Sequence, residues 1–502
     1  MMNPLFDTLV APLAARDSVF LTDANGAGIS GAEFYQLTMS LAGALQGLGL
    51  KPGDRMAVQL AKSPEALALY GAALATGVVF LPLNTAYTAE EVAYFVTDAE
   101  AALLVGDPEK SEALEGIASA NDARFETLDA QGEGSLRDLA RASEGGNAVP
   151  RGAQNLAAIL YTSGTTGRSK GAMLSHDNLL SNAETLVKEW RFEASDVLLH
   201  ALPIFHTHGL FVACNVVMRA GGSMIFLPAF NAAEVVKWLP KATTMMGVPT
   251  FYTRLLDTPA FTKKLVEHMR LFTSGSAPLL AETHQQFEAR SGHRILERYG
   301  MTETNMTTSN PYEGARKAGT VGPALPGVEV KITDPETGVE LPTGEAGMIE
   351  VRGANVFQGY WRMPEKTREE LRADGFFITG DIGVIDADGY VSIVGRQKDL
   401  IITGGYNVYP KEIELLLDEQ AGVLESAVIG VPHRDFGEAV VAVLVPRAGE
   451  QVDRAAIAAD LGEHLAKFKQ PKHIEVIAEL PRNTMGKVQK NLLRAQFKDL
   501  FA

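Results

Sequence analysis

The stretch from Tyr161 to Gly171 has the residue types and spacing of a loop that binds an oligophosphate. Its glycines, Gly164 and Gly167 among them, let the backbone approach an anion closely and point successive N–H groups at it. Hydroxyl donors and cations fill the remaining positions: Ser163, Thr165, Thr166, Arg168 and Lys170. A Walker A loop needs the spacing G-x-x-x-x-G-K-[ST], which is absent here. We therefore predict a phosphate loop of another kind, in preference to a polar surface turn.

A second group of chemically capable residues runs from Arg298 to Thr304. Tyr299 beside Gly300 can stack on a flat base, and Thr302 and Glu303 can hold a phosphate and Mg²⁺, a cation that prefers oxygen ligands. The turn from Thr273 to Pro278, which contains Ser276 and Ala277, is suited to line a nucleotide site. The alternative for the first group is a strand end followed by a polar turn.

Asp381 and Arg396 are candidates for contacts with a ribose. Asp381 follows a tight turn at Thr379, and a carboxylate is the usual partner of ribose hydroxyls. Arg396 could reach the same sugar or a phosphate. For either residue alone, a structural salt bridge is an equally good interpretation.

The elements that must position these residues follow an α/β pattern. Ser30 to Leu48 is predicted as a helix, with Ser30 as its cap and Glu33 three residues later. Apolar strands alternate with such helices up to about Asp196 and again to Thr308, which indicates a mostly parallel sheet. From Val328 to Val394 short strands and turns predict hairpins or a small barrel. A compact βαβ-like tail follows Gly395.

Composition limits the function classes. At 502 residues two or more domains are expected, and the net charge of −16 argues against nonspecific nucleic-acid binding. The one cysteine, Cys214, excludes an internal disulfide framework and lies in an apolar run, where packing is its expected role. No apolar run approaches the roughly 18 residues of a membrane span, and no signal peptide is visible. A cytoplasmic protein without membrane or nucleic-acid partners is the expectation.

These motifs together resemble those of the acyl-CoA synthetases in the ANL adenylate-forming superfamily. The resemblance rests, in order along the chain, on Tyr161–Gly171, Tyr299–Glu303, Thr379–Asp381, Gly395–Glu414 and Pro481–Lys487. It implies the ANL fold, with a large α/β N-terminal domain that includes a β-barrel-like part and a small mobile α+β C-terminal domain. It also implies ATP, Mg²⁺ and coenzyme A as reactants and cofactor.

The resemblance assigns residue roles as well. Lys487 would bridge the acid's carboxylate and the α-phosphate, and Thr166 and Glu303 would hold Mg²⁺ and phosphates, with His206 as a further catalytic residue. The ATP site would comprise Thr162, Ser163, Gly164, Thr165, Thr166, Gly167, Lys170, Ser276, Ala277, Tyr299, Gly300, Thr302, Asp381 and Arg396.

The family divides its work between two domains, which here would span residues 1–396 and 397–502. The small domain rotates between the two chemical steps, and Lys398 matches the hinge position. Gly404, Gly405 and Tyr406 would then line the tunnel for the pantetheine arm of CoA. A plain exposed lysine is the competing interpretation of Lys398.

Arg298 suggests which acid is bound. A monocarboxylate would leave its guanidinium buried and unpaired, whereas the second carboxylate of a dicarboxylate could form bidentate hydrogen bonds with it. An ion pair with Glu297 is the alternative, and chemistry alone does not decide. The sequence around Ile204–Val212 and Glu297–Met306 resembles malonyl-CoA synthetases, which favours malonate with some methylmalonate activity. The residues then expected around the acid are His206, Thr207, Ser276, Arg298, Met301 and Met306. A metal site at His206 and His208 is a weaker alternative.

Four alternative functions and one modification are compatible with some of these motifs. The chain could use another short carboxylic acid or load a carrier protein. Arg298 argues against a luciferase-like oxygenase with an apolar substrate. Lys487, Glu303 and Asp381 together argue against a noncatalytic nucleotide-binding regulator. The sequence around Lys487 also resembles the site that lysine acetyltransferases modify in this family, so acetylation and deacetylation would control its charge.

Overall fold

The structure is a computed structural model that describes residues 2–162, 169–404, 406–483 and 486–501. Within these ranges the strands form four sheets. The strands are β1 (Val19–Thr22), β2 (Gly28–Ser30), β3 (Arg55–Gln59), β4 (Val79–Pro82), β5 (Ala101–Gly106), β6 (Arg124–Thr127), β7 (Leu156–Thr162), β8 (Lys170–Ser175), β9 (Val197–His200), β10 (Ser223–Phe226), β11 (Thr244–Gly247), β12 (Leu271–Ser274), β13 (Leu296–Met301), β14 (Asn305–Ser309), β15 (Val328–Thr333), β16 (Gly347–Gly353), β17 (Phe377–Ile385), β18 (Val391–Arg396), β19 (Ile401–Thr403), β20 (Tyr406–Val408), β21 (Val423–His433), β22 (Gly437–Pro446) and β23 (His473–Val476).

The α-helices alternate with these strands over much of the chain. They are α1 (Gly31–Gly47), α2 (Pro64–Thr76), α3 (Ala89–Ala99), α4 (Ser111–Ala120), α5 (Ser135–Ala142), α6 (His176–Glu189), α7 (Asn215–Ala220), α8 (Ala232–Trp238), α9 (Pro249–Leu256), α10 (Lys263–Val266), α11 (Ala281–Ser291), α12 (Pro364–Glu370), α13 (Pro410–Asp418), α14 (Arg454–His464) and α15 (Lys490–Phe497).

The first large sheet has six strands in the order β6-β5-β3-β4-β7-β8. Its strands β3 to β7 pair in parallel, whereas β8 turns back antiparallel to β7. The predicted helix after Ser30 is confirmed as α1, and Ser30 and Glu33 form the expected capping box. The phosphate-loop motif therefore joins two antiparallel strands, with Tyr161 opposite Gly171 and Thr162 opposite Lys170.

The second large sheet has eight strands in the order β14-β13-β12-β11-β9-β10-β1-β2. Five neighbouring strands of this sheet are parallel to one another: β13, β12, β11, β9 and β10. Their carboxyl ends therefore share one edge, which is where open α/β sheets bind ligands. The segments that follow β9, β12 and β13 are the ones in which the sequence predicts acid and nucleotide contacts.

Two smaller sheets complete the fold. Strands β15 to β18 form a four-stranded antiparallel sheet, and this is the hairpin-rich region anticipated between Val328 and Val394. The last sheet contains β19 to β23, and β22, α14 and β23 form the βαβ unit of the tail, because β23 pairs in parallel with β22. Across the described ranges, no helix is both long and apolar enough to cross a bilayer.

Candidate active site

Three polar side chains with unused hydrogen-bonding atoms follow one another after β9. They are His206, Thr207 and His208, and His208 begins a short π-helical turn that ends at Cys214. Within the described ranges, Nδ1 of His206, Oγ1 of Thr207 and Nε2 of His208 are buried without a hydrogen-bond partner. Buried polar groups are normally satisfied, so three neighbouring exceptions indicate a place for a polar ligand.

Arg298 on β13 is a buried cation without an acidic partner among the described residues. Its exposed fraction is 3%, and its Nε and Nη2 lack hydrogen-bond partners in these ranges. Burial lowers the pKa of its guanidinium to about 9. Successive side chains of a strand point to opposite faces, and Glu297 instead approaches His284, with 3.9 Å between Oε2 and Nδ1. The ion pair between Arg298 and Glu297, which the sequence left open, is therefore not formed.

The guanidinium of Arg298 is held against the turn after β12. A Cβ atom built on Gly275 would lie only 2.1 Å from its Nη1, so this position has room for no side chain. The next residue, Ser276, has a φ of +70° and places its hydroxyl 3.2 Å from Nδ1 of His208. Ser276, Arg298 and the histidine segment thus line the same region, as the sequence predicted for the acid.

Burial and positive neighbours keep the histidines of this region neutral. The pKa of His206 is lowered to about 3, first by burial and then by the charges of Lys487 and Arg298. The pKa of His208 is also lowered well below its ordinary value, by burial and by Arg298. At neutral pH both rings can therefore donate or accept a hydrogen bond without adding charge, while Arg298 supplies the cation.

The residues predicted for adenine and ribose are in contact with one another. Tyr299 donates its hydroxyl hydrogen to Oδ2 of Asp381 at 2.6 Å, and Nε of Arg396 lies 3.1 Å from Oδ1 of the same carboxylate. Burial and the negative charge of Asp381 raise the pKa of Tyr299 well above its ordinary value. Asp381 and Arg396 do form a salt bridge, and this bridge lies beside the aromatic ring proposed to cover the base.

Glu303 lies in a polar cluster that the sequence only partly revealed. The hydroxyl of Tyr360 is 3.0 Å from Oε1 of Glu303 and 2.6 Å from Oε2 of Glu370. Glu370 also pairs with Lys170 at 3.0 Å, and the Lys170 ammonium lies 4.3 Å from the centre of the Tyr360 ring. Burial raises the pKa of Glu303. Tyr360 and Glu370 were missed in the sequence because no motif contains them. Both also lie more than fifty residues from Glu303, so spacing along the chain does not connect them with it.

Lys487 reaches this region from the last part of the chain. Its pKa is lowered to about 8, chiefly by burial and then by Arg396, while Asp381 and Glu303 oppose the shift. A Cβ built on the preceding Gly486 would lie 3.6 Å from the Thr250 side chain at the start of α9. The backbone N–H of Lys487 donates to Oδ1 of Asn483 at 3.0 Å, which fixes the turn that carries the lysine.

The remaining predicted residues lie around these groups or in the tail. Gly300 has no room for a side chain, because a Cβ there would lie 1.8 Å from the carbonyl oxygen of Asn305 and 2.6 Å from Cε of Met306. Met306 is buried, whereas Met301 and Thr302 are half-buried, as is Ala277 in the turn after β12.

Lys398 and the predicted CoA segment belong to the tail. Lys398 is exposed in a 3₁₀ turn after β18, where partial desolvation and the charge of Arg396 lower its pKa. Gly404 has a φ of +58°, and its N–H donates to the carbonyl of Phe436 at 2.8 Å. Tyr406 is exposed but stacks on Phe468, with ring centres 4.6 Å apart.

Part of the predicted site lies outside the described residues. This applies to the phosphate-loop residues Ser163, Gly164, Thr165, Thr166, Gly167 and Arg168, and to Gly405 of the predicted CoA tunnel. Where the chain is described, no three His, Cys, Asp or Glu side chains group as a metal-binding cluster. Glu303 is nevertheless a buried oxygen donor, the ligand type that suits Mg²⁺ when phosphates and water complete its coordination.

Two protein-family models match most of the chain. A profile of AMP-binding enzymes matches residues 12–361, and one of the C-terminal domain of AMP-binding enzymes matches residues 412–487. The chain belongs to the AMP-binding enzyme family. It has the ANL adenylate-forming fold, and the sequence-based fold class is confirmed.

Individual relatives cover the chain almost completely. The crystal structure of ATP-bound MatB from Rhodopseudomonas palustris is 58% identical, covers 100% of both chains and superposes with a TM-score of 0.98. The malonate–CoA ligase of Arabidopsis thaliana is 34% identical over an alignment of 491 positions, which covers 90% of this chain and 80% of the relative. The feruloyl-CoA synthase of an Amycolatopsis species is also 34% identical, over 476 residues and 94% of each chain.

The arrangement of the two parts of the chain is similar to that of a nucleotide-bound relative. The apo form of the same R. palustris MatB superposes with a TM-score of 0.87, compared with 0.98 for the ATP-bound form. Both comparisons cover the whole of each chain. The position of Lys487 near Asp381, Glu303 and Arg396 therefore belongs to an arrangement of the kind seen with ATP bound.

Proposed function

We propose that this enzyme ligates malonate to coenzyme A through a malonyl-adenylate, with malonyl-CoA, AMP and pyrophosphate as products. The observation that carries the choice of acid is the buried guanidinium of Arg298, which lacks an acidic partner among the described residues. A buried cation is stabilised by a carboxylate that forms bidentate hydrogen bonds with it. One carboxylate of malonate can react while the other binds Arg298.

The relatives support CoA ligation, while the acid follows from the pocket. Relatives of equal identity carry the names malonate–CoA ligase and feruloyl-CoA synthase, so overall identity does not select between a small diacid and an aromatic acid. A bulky aromatic acid supplies no second carboxylate for Arg298. The unpartnered atoms of His206, Thr207 and His208 next to it favour a small, highly polar acid.

In the first step a carboxylate oxygen of malonate attacks the α-phosphorus of ATP, and pyrophosphate leaves. Lys487, with its ammonium near Asp381 and Glu303, stabilises negative charge on the pentavalent phosphorus. Tyr299 and Asp381 hold the nucleoside, and the loop from Thr162 to Lys170 holds the departing phosphates. His206, neutral at the working pH, donates a hydrogen bond to the reacting carboxylate.

Magnesium fits the oxygen donors of this site. Glu303, with Thr166 of the phosphate loop, would hold the ion, which neutralises charge on the phosphates. Tyr360 donates a hydrogen bond to Glu303 and so orients the carboxylate. Glu370 pairs with Lys170, and this ion pair keeps the base of the phosphate loop in place.

In the second step the thiolate of CoA attacks the acyl carbon, and AMP leaves. We propose that residues 397–502 rotate about Lys398 between the steps, so that Lys487 withdraws and Gly404, Gly405 and Tyr406 line the thiol's approach. A Lys398→Pro variant should retain malonate-dependent pyrophosphate release with hydroxylamine as acceptor, while CoA-dependent turnover falls. Equal loss of both activities would contradict a hinge at this position.

The proposed function is tested by an ATP-, Mg²⁺- and CoA-dependent thioester assay with acetate, malonate, methylmalonate, succinate and benzoate. Malonate should have the highest kcat/KM. Methylmalonate should follow, because one methyl group changes binding by only about 1–3 kcal/mol. Transfer to a carrier-protein phosphopantetheine without activity on free CoA would favour a loading enzyme, and a higher kcat/KM for another acid would reject malonate.

An Arg298→Met variant tests the acid assignment at one residue. Loss of the guanidinium should lower kcat/KM for malonate by roughly a hundredfold, the size expected for a buried charge pair, with little change in the KM for ATP. Acetate has no second carboxylate, so its kcat/KM should be unchanged or higher. An equal decrease for both acids would place Arg298 outside the acid site.

We also propose that Lys487 is the target of a lysine acetyltransferase and its deacetylase in a cytoplasmic setting. Acetylation removes the ammonium charge and should abolish adenylate formation. Lys487 is half-buried beside the proposed nucleotide site, so bound ATP should shield it and slow the modification. Mass spectrometry after treatment with an acetyltransferase, with and without ATP, measures this protection, and absence of acetylation in both samples would reject the proposal.

A further inference from the structure

A chain of hydrogen bonds links Lys62 to the segment that carries His206, Thr207 and His208. Nζ of Lys62, just before α2, lies 2.7 Å from Nδ1 of His200 and 2.8 Å from the His200 carbonyl oxygen. Nε2 of His200, at the end of β9, lies 2.8 Å from the carbonyl oxygen of Gly209. Gly209 directly follows His208, so this series of hydrogen bonds ends on the backbone of the proposed acid site.

The directions of these bonds follow from the groups involved. Because the Gly209 carbonyl oxygen can only accept, Nε2 of His200 must donate to it, and Nδ1 of the neutral ring is left to accept from Nζ of Lys62. The neutral imidazole then carries its hydrogen on Nε2 and donates it to Gly209. The pKa of His200 is lowered well below its ordinary value by burial and by Lys62, in agreement with a neutral ring.

Lys62 is half-buried, with its ammonium directed at His200. Its ammonium contacts His200 and the face of the Phe226 ring, 4.2 Å from the ring centre, and no carboxylate within the described ranges pairs with it. Burial lowers its pKa well below the ordinary value. Withdrawing an ammonium from water is costly unless hydrogen bonds compensate, so the two hydrogen bonds of Lys62 with His200 indicate a role in ordering that residue.

The backbone around Gly209, where this series of hydrogen bonds ends, has little freedom to move. A Cβ on Gly209 would lie 1.9 Å from the carbonyl oxygen of Pro203, so the two backbone segments are in direct contact. The thiol of Cys214 donates to the same Gly209 carbonyl at 3.2 Å, and the Leu210 N–H donates to the His206 carbonyl at 3.0 Å. A displacement of Gly209 would therefore move His208 and with it the unpartnered polar atoms of the pocket.

We propose that Lys62 and His200 are positioning residues that fix the acid-binding segment from His206 to His208 and so set affinity and selectivity for the acid. The inference rests on the proposed function only in that this segment binds the acid. It holds for whichever acid gives the highest kcat/KM with the unmodified enzyme. Failure of malonate in that assay is thus distinguishable from failure of the positioning role.

Two substitutions at His200 separate the two ends of the chain. His200→Gln places an amide near the position of Nε2 and keeps the donor to Gly209, whereas His200→Asn can meet Lys62 but does not reach Gly209. Lys62→Met removes the donor and keeps the length of the side chain. We expect His200→Asn and Lys62→Met to raise the KM for the acid roughly tenfold, and His200→Gln by less than about threefold.

The measurements are KM for the acid and for ATP, the ratio of malonate to methylmalonate kcat/KM, and the melting temperature of each variant. The proposal requires a KM increase confined to the acid, together with a changed ratio of the two acids. It is overturned if the KM values for acid and ATP rise together, if only the melting temperature falls, or if His200→Gln is impaired as much as His200→Asn.

Discussion

At the scale of single residues, the proposed acid site depends on the guanidinium of Arg298 and on the absence of a side chain at Gly275, against which it packs. Arg298 lacks an acidic partner among the described residues, and it is closely packed against the backbone of Gly275. We propose that this charge selects the acid, and close packing against Gly275 fixes where the charge lies. Each of these statements can be tested by one substitution.

A Gly275→Ala variant should weaken binding of the acid without a change in the nucleotide site. The added Cβ would lie 2.1 Å from Nη1 of Arg298 and must displace the guanidinium. We expect the KM for malonate to rise about tenfold or more, with the KM for ATP within about twofold, because a shift near 1 Å is costly at such sites. Steady-state kinetics with each substrate varied measures both constants.

A matched glycine provides the control for this variant. A Cβ on Gly116, within α4, would meet no atom within 4 Å. Gly116→Ala should leave both KM values unchanged and stabilise the helix by up to about 1 kcal/mol. If Gly275→Ala behaves like Gly116→Ala, close packing of Arg298 against residue 275 is not needed for acid binding.

The pKa of Lys487 predicts a pH dependence for the first step. Because the pKa is lowered to about 8, the ammonium is present below that pH and is lost as pH rises through it. The kcat/KM for malonate-dependent pyrophosphate release should therefore decrease above about pH 8, well before an ordinary lysine would lose its proton. A pH profile with hydroxylamine as acceptor measures this step alone.

Lys487→Arg provides the comparison, since a guanidinium keeps its charge across this range. Its activity should be low, because the planar fork does not reproduce the geometry of the ammonium, but the decrease near pH 8 should vanish. An unchanged pH profile in Lys487→Arg would assign the ionisation to another group.

At the scale of elements, the site is assembled where segments distant in the chain meet. The turn after β13 supplies Glu303, the base of the β7–β8 hairpin supplies Lys170, and the segment around α12 supplies Tyr360 and Glu370. The Tyr360 hydroxyl contacts both carboxylates, so it connects the proposed magnesium ligand with the ion pair at the phosphate loop.

A Tyr360→Phe variant should uncouple these elements. Loss of the hydroxyl leaves two neighbouring carboxylates without their shared donor, and a hydrogen bond to a charged group contributes about 1.5–3 kcal/mol. We expect the KM for ATP·Mg²⁺ to rise about tenfold, with little change in the KM for malonate. In a titration of activity with Mg²⁺, the concentration that gives half-maximal activity should increase. An unchanged Mg²⁺ titration would contradict the proposed link to Glu303.

At the scale of the whole molecule, the role proposed for Lys487 in the first step requires the tail to lie against the larger part of the chain. Gly486 lies near Thr250, and Arg447 after β22 forms an ion pair with Glu282 on α11. Both side chains of this ion pair are partly exposed, at 29% for Arg447 and 41% for Glu282. The pair is therefore expected to contribute only about 0.5 kcal/mol to this arrangement.

Removal of this pair should shift the balance between the two steps. Glu282→Gln should lower the rate of malonyl-adenylate formation about twofold, which corresponds to roughly 0.5 kcal/mol, with no decrease in the CoA-dependent step. Rapid-quench measurement of each half-reaction tests this. The exchanged pair, Glu282→Arg with Arg447→Glu, should restore the first rate. An unchanged first rate in Glu282→Gln, or no recovery in the exchanged variant, would show that the pair does not contribute to the proposed domain movement.

The sequence by itself determined the reaction class and the fold class. The phosphate-loop motif, the capping box at Ser30 and Glu33, and the alternation of strands and helices depend on residues close together in the chain, so local spacing reveals them. The order of the short motifs was enough to indicate ATP, an acid and CoA. The sequence predicted that Arg298 binds the acid, but it left an ion pair with Glu297 as an alternative.

Only the tertiary structure decided which contacts those residues make. It separated Arg298 from Glu297, placed Gly275 against the guanidinium, and brought Tyr360 and Glu370 to Glu303. It also connected Lys62 with His200, which are 138 positions apart. The physical reason is that burial and hydrogen-bond satisfaction depend on which strand faces and loops meet in space, and spacing along one chain does not specify this for distant residues.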